Sequence, residues 1–172
     1  MIIKFFTAVW LTGMAFQAEL EKLSLIDNKI EILVPKGWKP MSEDLIKIKY
    51  PGARPPKLVY SDVTGGISLA FNHTDTRATQ DQIELYKGVL KSSLTNAFPE
   101  AEWIEDSVKV INGKNVGFCK VITNAQSGRI YNQMFFTDVD GKLLICSFNV
   151  VENKMKAWKT TAEEIMNSLI VK

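Results

Sequence analysis

The chain has 172 residues, 46% of them hydrophobic and 23% charged, and a formal net charge of +2. That length suits one domain with a real core, and a charge so nearly balanced argues against a nucleic-acid partner and against a polyionic interaction tail.

Residues 1–18 differ from the rest. Lys4 is their only charge, an apolar stretch runs from Phe5 to Phe16, and Gln17-Ala18 follows. A basic start, an apolar middle and a small-residue exit read as an export signal, which places the protein in the periplasm or outside the cell. Cleavage after Ala15 would put Gly13 and Ala15 at the two small positions, whereas cleavage after Ala18 would put bulky Phe16 at the upstream one. The apolar stretch is shorter than the ~20 residues of a spanning helix, so no stable membrane span is expected. No cysteine follows it, which argues against a lipid anchor. The alternative is the first helix of a cytosolic protein. Residues 19–172 are then expected to form a single domain.

Within Lys22–Pro35, Ile30, Ile32 and Val34 alternate with Glu31 and Leu33, the period of a strand with one apolar face. Pro35-Lys36-Gly37-Trp38 stops it, because proline cannot continue the ladder. Ser42-Glu43-Asp44 opens a short helix through Ile48, with Ser42 as N-cap and acids in the first turn. A loop, 50–56, carries three of the six prolines. Lys57–Ser61 and Gly66–Phe71 read as two strands joined by a turn over Asp62–Gly65. Thr79 and Gln82 fit a capping box at the head of a helix through Phe98, with Ile83, Tyr86, Leu90, Leu94 and Ala97 as its apolar stripe.

The second half is the most regular. Asn112-Gly113, Ser127-Gly128 and Asp140-Gly141 are turn signals at near-equal intervals, and Asn-Gly or Asp-Gly supplies the positive φ angles of two-residue hairpins. They divide a four-stranded meander: Trp103–Ile111, Asn115–Thr123, Arg129–Asp138 and Lys142–Val150. A final helix is expected over Asn153–Ile170, striped by Met155, Trp158, Ala162, Ile165 and Leu169. Helices long enough to cover a sheet flank the meander, so an α+β chain with a mainly antiparallel sheet covered on both faces is expected.

This arrangement, with Ile32-Leu33-Val34-Pro35-Lys36-Gly37-Trp38 and the closing Ile165-Met166-Asn167-Ser168-Leu169, resembles the PsbP-like superfamily over roughly residues 22–171. That superfamily includes the extrinsic P protein of photosystem II, a Ran-binding import factor and many small exported bacterial proteins. The resemblance is nearest to the exported bacterial branch. It implies an α/β/α sandwich around an antiparallel sheet and a binding or assembly role. It transfers no catalytic residue.

Chemistry is sparse. His73 is the only histidine, and with Asp75 it lacks the remaining ligands of a zinc site; a surface histidine at a strand end is the expectation. Asn72-His73-Thr74 matches a glycosylation acceptor, which matters only in a eukaryotic secretory pathway. Thr64-Gly65-Gly66 is a turn rather than a phosphate cradle. The adjacent acids Glu105-Asp106 and Glu163-Glu164 diverge on a strand or a helix. Cys119 and Cys146 flank one intervening strand; two strand spacings of ~9.6 Å exceed the reach of a disulfide, about 7 Å between Cα atoms. No cofactor and no metal are expected.

The best candidate surface is 36–57, where Lys36, Lys39, Lys47, Lys49, Arg54 and Lys57 face only Glu43 and Asp44. Trp38 or Tyr50 beside them would make a recognition patch for an acidic protein, an anionic lipid surface or a glycan; the alternative is a solvated face around a packed Trp38. The expected site is therefore Trp38, Lys39, Lys47, Lys49, Tyr50, Arg54 and Lys57, in an exported non-enzymatic binding or assembly module of unknown protein partner. An immunity-type or chaperone-like protein that binds a secreted effector is the alternative, and a hydrolase on carboxylates brought together by folding ranks third.

Overall fold

The structure is a computed structural model that describes residues 17–52, 55–125 and 128–172. The expected export signal therefore lies almost wholly outside the described residues, as does Arg54.

Along the chain run β1 (Leu20–Leu25), β2 (Ile30–Pro35), β3 (Lys39–Pro40), α1 (Glu43–Lys49), β4 (Leu58–Ser61), β5 (Ile67–Arg77), α2 (Ile83–Ala97), β6 (Glu102–Ile111), β7 (Lys114–Ala125), β8 (Gly128–Val139), β9 (Lys142–Val151), α3 (Met155–Asn167) and β10 (Ile170–Val171). A seven-stranded sheet has the order β3-β4-β5-β9-β8-β7-β6, and a smaller sheet the order β1-β2-β10. Every pairing is antiparallel.

Alternation along the strands divides the large sheet into two faces. On the back face Phe71, Phe118, Phe135, Cys146 and Phe148 join Ile32 and Val34 of β2 and Ala162, Ile165 and Met166 of α3 in one core. On the front face Phe136 and Leu143 pack with Ile83 under α2, and Ile46 of α1 packs on Val59 and Ala70. Phe135 and Phe136 are consecutive and serve opposite cores, so the helices lie on both faces as an α/β/α sandwich.

The meander turns follow from backbone chemistry. Asn112 and Gly113 have φ of 47° and 82°, Asp140 and Gly141 of 51° and 70°, the two successive positive values that such hairpins need. The middle turn differs from its sequence signal. Ala125 pairs with Gly128, so Gly128 opens β8 instead of sitting at the turn's centre. Gly117 has a packing role: a Cβ there would lie 2.2 Å from the Phe136 ring, which occupies the space over this glycine from the neighbouring strand.

Three boundaries differ from the sequence reading. The stretch Lys22–Pro35 covers parts of two strands, because Ile26, Asp27 and Asn28 all turn through left-handed φ of 55°, 53° and 62°. Asp and Asn tolerate that region; a β-branched isoleucine gives no such signal. The last helix stops at Asn167 because Ser168 Oγ donates to Ile165 O (2.6 Å) and accepts from Leu33 N (2.8 Å), after which β10 pairs with β2. Long-range pairing overrides the helical period of Leu169. Finally β5 runs on to Arg77, so His73 lies within a strand rather than at its end; its Nε2 donates to Val139 O (3.0 Å).

Cys119 pairs with Met134 and Cys146 with Phe135 across β8, on opposite faces, and both are buried free thiols. Burial pushes the Cys119 thiol up to about 11 and the Cys146 thiol higher still.

Candidate functional site

Among the described residues, two helices cover the front face. The α1 cap, Glu43–Lys49, starts where Ser42 Oγ accepts from Leu45 N (3.4 Å) and sits over β4 and β5. The α2 cap begins with the expected capping box of Thr79 and Gln82 and packs Ile83, Tyr86 and Leu90 on the sheet, while Ala97 and Phe98 at its C-terminal end are exposed. Between the caps lies β9, whose residues Leu143, Ile145, Ser147, Asn149 and Val151 share the front face.

Two cavities open along this strand. One of about 420 Å³ is lined by Lys49, Tyr50, Phe98, Thr123, Asn132 and Asn149 among others. The second, of about 760 Å³, includes Lys57, Asn72, Asp75, Tyr86, Val89 and Ile145. A third, of about 410 Å³, lies on the outer side of α1 and is lined by Lys39, Leu45, Ile48 and Val63; Lys49 borders it as well.

The floor of the 420 Å³ cavity is polar. Asn132 Nδ2 donates to Thr123 Oγ1 (3.0 Å) and Ile130 O (3.0 Å), and Asn149 is held by Ser147 beyond the lining, accepting from Ser147 Oγ (2.9 Å) and donating back to it (3.2 Å). At its α1 end Lys49 Nζ donates to Gly65 O (2.5 Å) and Ser68 Oγ (3.0 Å), and the Tyr50 hydroxyl lies 3.2 Å from the same Ser68 oxygen. Desolvation lowers the Lys49 pKa and raises that of Tyr50, since burial disfavours the charged form of each.

The structure divides the residues singled out by sequence. Lys49 and Tyr50 stand together at one end of the cleft and Lys57 lies by the other. Lys39 and Lys47 are exposed on the outer side, where Lys47 pairs loosely with Asp44 (3.9 Å). Lys36 pairs with Glu19 (2.8 Å). Trp38 does not join them: its ring stacks on Phe148 (centroids 6.4 Å, interplanar angle 13°) and contacts Trp158 (5.9 Å), on the back face. Sequence reasoning missed the lining residues Thr123, Asn132 and Asn149. A signal was present, for Ser147 and Asn149 share one face of an otherwise apolar strand, but only the folded sheet brings Asn149 beside Thr123 and Asn132.

Acidic pairs diverge as expected. Glu105 reaches Lys120 (2.6 Å) and Asp106 reaches Lys91 (2.5 Å). Folding does bring Glu105 and Glu163 together, but on the buried Lys120 between them. Among the described residues no group of three or more His, Cys, Asp or Glu is placed to hold a metal ion, and no helix is long and apolar enough to cross a membrane.

Solved structures share this architecture. Cyanobacterial PsbP from Synechocystis superposes with a TM-score of 0.64, covering 96% of this chain and 98% of its own at 16% identity. This is the PsbP-like fold. LpqN of Mycobacterium tuberculosis, involved in cell envelope biogenesis, matches with a TM-score of 0.52 over 83% of this chain and 82% of its own, at 12% identity. A Pseudomonas aeruginosa protein of unknown function matches at 0.53, over 90% and 99%, with 9% identity. No family model matches the chain, and no curated protein matches it in sequence. In this PsbP-like fold the Ile32–Trp38 motif is scaffold: β2 ends at Pro35, Gly37 turns at φ 81°, and Trp38 enters the back-face packing.

Proposed function

We propose that the protein is an exported, non-enzymatic binding module that receives a protein partner in the cleft between α1 and α2. The observation that carries this reading is the uncovered stretch of β9, with polar side chains on its floor and a cavity toward each end. Partner-binding sites combine a concave surface with a few placed polar groups, and a fully sheathed sheet would offer neither. Lys49, Tyr50 and Lys57 are the binding residues within the cleft. Lys39 and Lys47 supply positive charge around it, and Trp38 holds the scaffold. Residues 1–18 act as the export signal and 19–172 as the binding domain. The envelope role of LpqN is in keeping with a compartment beyond the cytoplasm.

A photo-crosslinking amino acid tests this in the native host. Placed at Asn132 it is expected to trap a discrete partner, and placed at Glu31 on the small sheet it is expected to trap none. Equal yields at the two positions, or none at Asn132, would overturn the assignment of the cleft. Mass spectrometry of the cell fractions tests export: the expected chain begins after Ala15 or Ala18, and an intact chain confined to the cytosol would refute it.

A further inference from the structure

Lys49 holds a charge that the fold does not neutralise. Its ammonium carries three hydrogens, and two go to the neutral acceptors Gly65 O and Ser68 Oγ. Among the described residues no carboxylate forms an ion pair with it. Asp62 acts on it electrostatically, but that carboxylate is committed to its own turn, accepting from Thr64 Oγ1 (2.6 Å) and Ile67 N (3.1 Å). Half-burying an unpaired ammonium is costly, as the lowered pKa of Lys49 reflects. A methionine or leucine would fill the same space without that cost. Lys49, Tyr50 and Asn149 all line the 420 Å³ cavity, and the Asn149 amide is held by Ser147 Oγ (3.2 Å) and by the Tyr50 hydroxyl.

We infer that the α1 end of the cleft recognises a carboxylate on a peptide segment, with the Lys49 ammonium as counter-charge and the Tyr50 hydroxyl as the neighbouring hydrogen-bond donor. This rests on the cleft reading above and names the chemistry of its occupant. A single ammonium beside a neutral donor matches the one negative charge of a carboxylate. A phosphate dianion would stay half neutralised, next to Asp62. The cavity volume lies within the range of ligand-sized sites, about 300–1,000 Å³.

The test is an amide NMR titration of the mature chain at pH 7 with two matched probes, N-acetyl-glutamate N-methylamide and its glutamine counterpart. The glutamate probe is expected to shift Gly65, Ser68 and Asn149 with an affinity at least tenfold above that of the glutamine probe. The preference is expected to vanish in Lys49→Met and to survive in Lys49→Arg. The comparison of probes on the unaltered chain needs no variant, so it stands even if Lys49→Met folds poorly. Equal shifts from both probes, unchanged in Lys49→Met, would overturn the carboxylate while leaving a peptide-binding cleft. No shift along the β9 floor from either probe would also overturn it, and crosslinking at Asn132 then decides the cleft separately. A fold held by Lys49, with no effect on probe preference, would make the residue a structural strap and sink the inference.

Discussion

The two faces of the large sheet solve the same problem differently. The back face is closed: Phe71, Phe135 and Phe148 are almost wholly buried against α3 and the small sheet, and even Trp38 is drawn into their packing. Among the described residues the front face is capped toward its two ends, and the strand between carries serine and asparagine where the back carries phenylalanine. Apolar burial supplies most of a domain's stability, so the back face is where the fold is held. The front face is where polarity is tolerated, because solvent or a partner can satisfy it.

Substitutions that separate the faces should show this asymmetry. The largest effect is expected at the back. Phe135→Ala removes a fully buried ring and should cost about 3–5 kcal/mol of unfolding free energy by denaturant titration; a loss under about 1 kcal/mol would mean that the back core is loosely packed. Next is Gly117→Ala on the front, beneath α2. The added methyl would collide with the Phe136 ring and should cost roughly 1–3 kcal/mol, with alanine tolerated freely only if that ring swings away. Ser147→Ala, next to the cavity floor, removes a hydrogen bond that orients Asn149 and should cost no more than about 1 kcal/mol, while reducing partner capture if the cleft is the site. A large loss of stability there would break the contrast between the faces.

The smallest effect concerns pH. Lys49 has its pKa lowered in the folded state, so between that value and the unfolded value near 10.4 the unfolded chain binds more protons and stability rises with pH. Tyr50 acts in the opposite sense: its pKa is raised, so its contribution is lost as pH climbs above about 10. Chemical denaturation from pH 8 to 11 should therefore show a rise in the unaltered chain that Lys49→Met lacks. Identical profiles would place Lys49 in a more solvated position.

Much of the scaffold was legible. Asn112-Gly113 and Asp140-Gly141 announced their hairpins because few residues accept consecutive positive φ angles. Thr79 and Gln82 announced the α2 cap because a capping box is local. The separation of Cys119 from Cys146 followed from the strand order those turns imply. Less was legible where distant residues decide. The β1–β2 turn hid behind Ile26, and the end of α3 depended on Ser168 meeting Leu33 and on β10 finding β2. Of the residues around the proposed cleft, Lys49 and Lys57 came from a count of charge and Tyr50 from an aromatic beside them, while Thr123, Asn132 and Asn149 are scattered over three strands that meet only in the folded sheet.

By itself, then, the sequence determined the antiparallel meander, the capped helices and the absence of a bridge between its cysteines. These depend on backbone geometry and periodicity within a few residues of each signal. Only the tertiary structure decided that Trp38 belongs to the back core, that the basic segment splits around α1, and that a polar strip of β9 stays open between two helices. Those outcomes depend on which face each strand presents and on how far each helix reaches across it, and that is settled by packing between elements far apart in the chain.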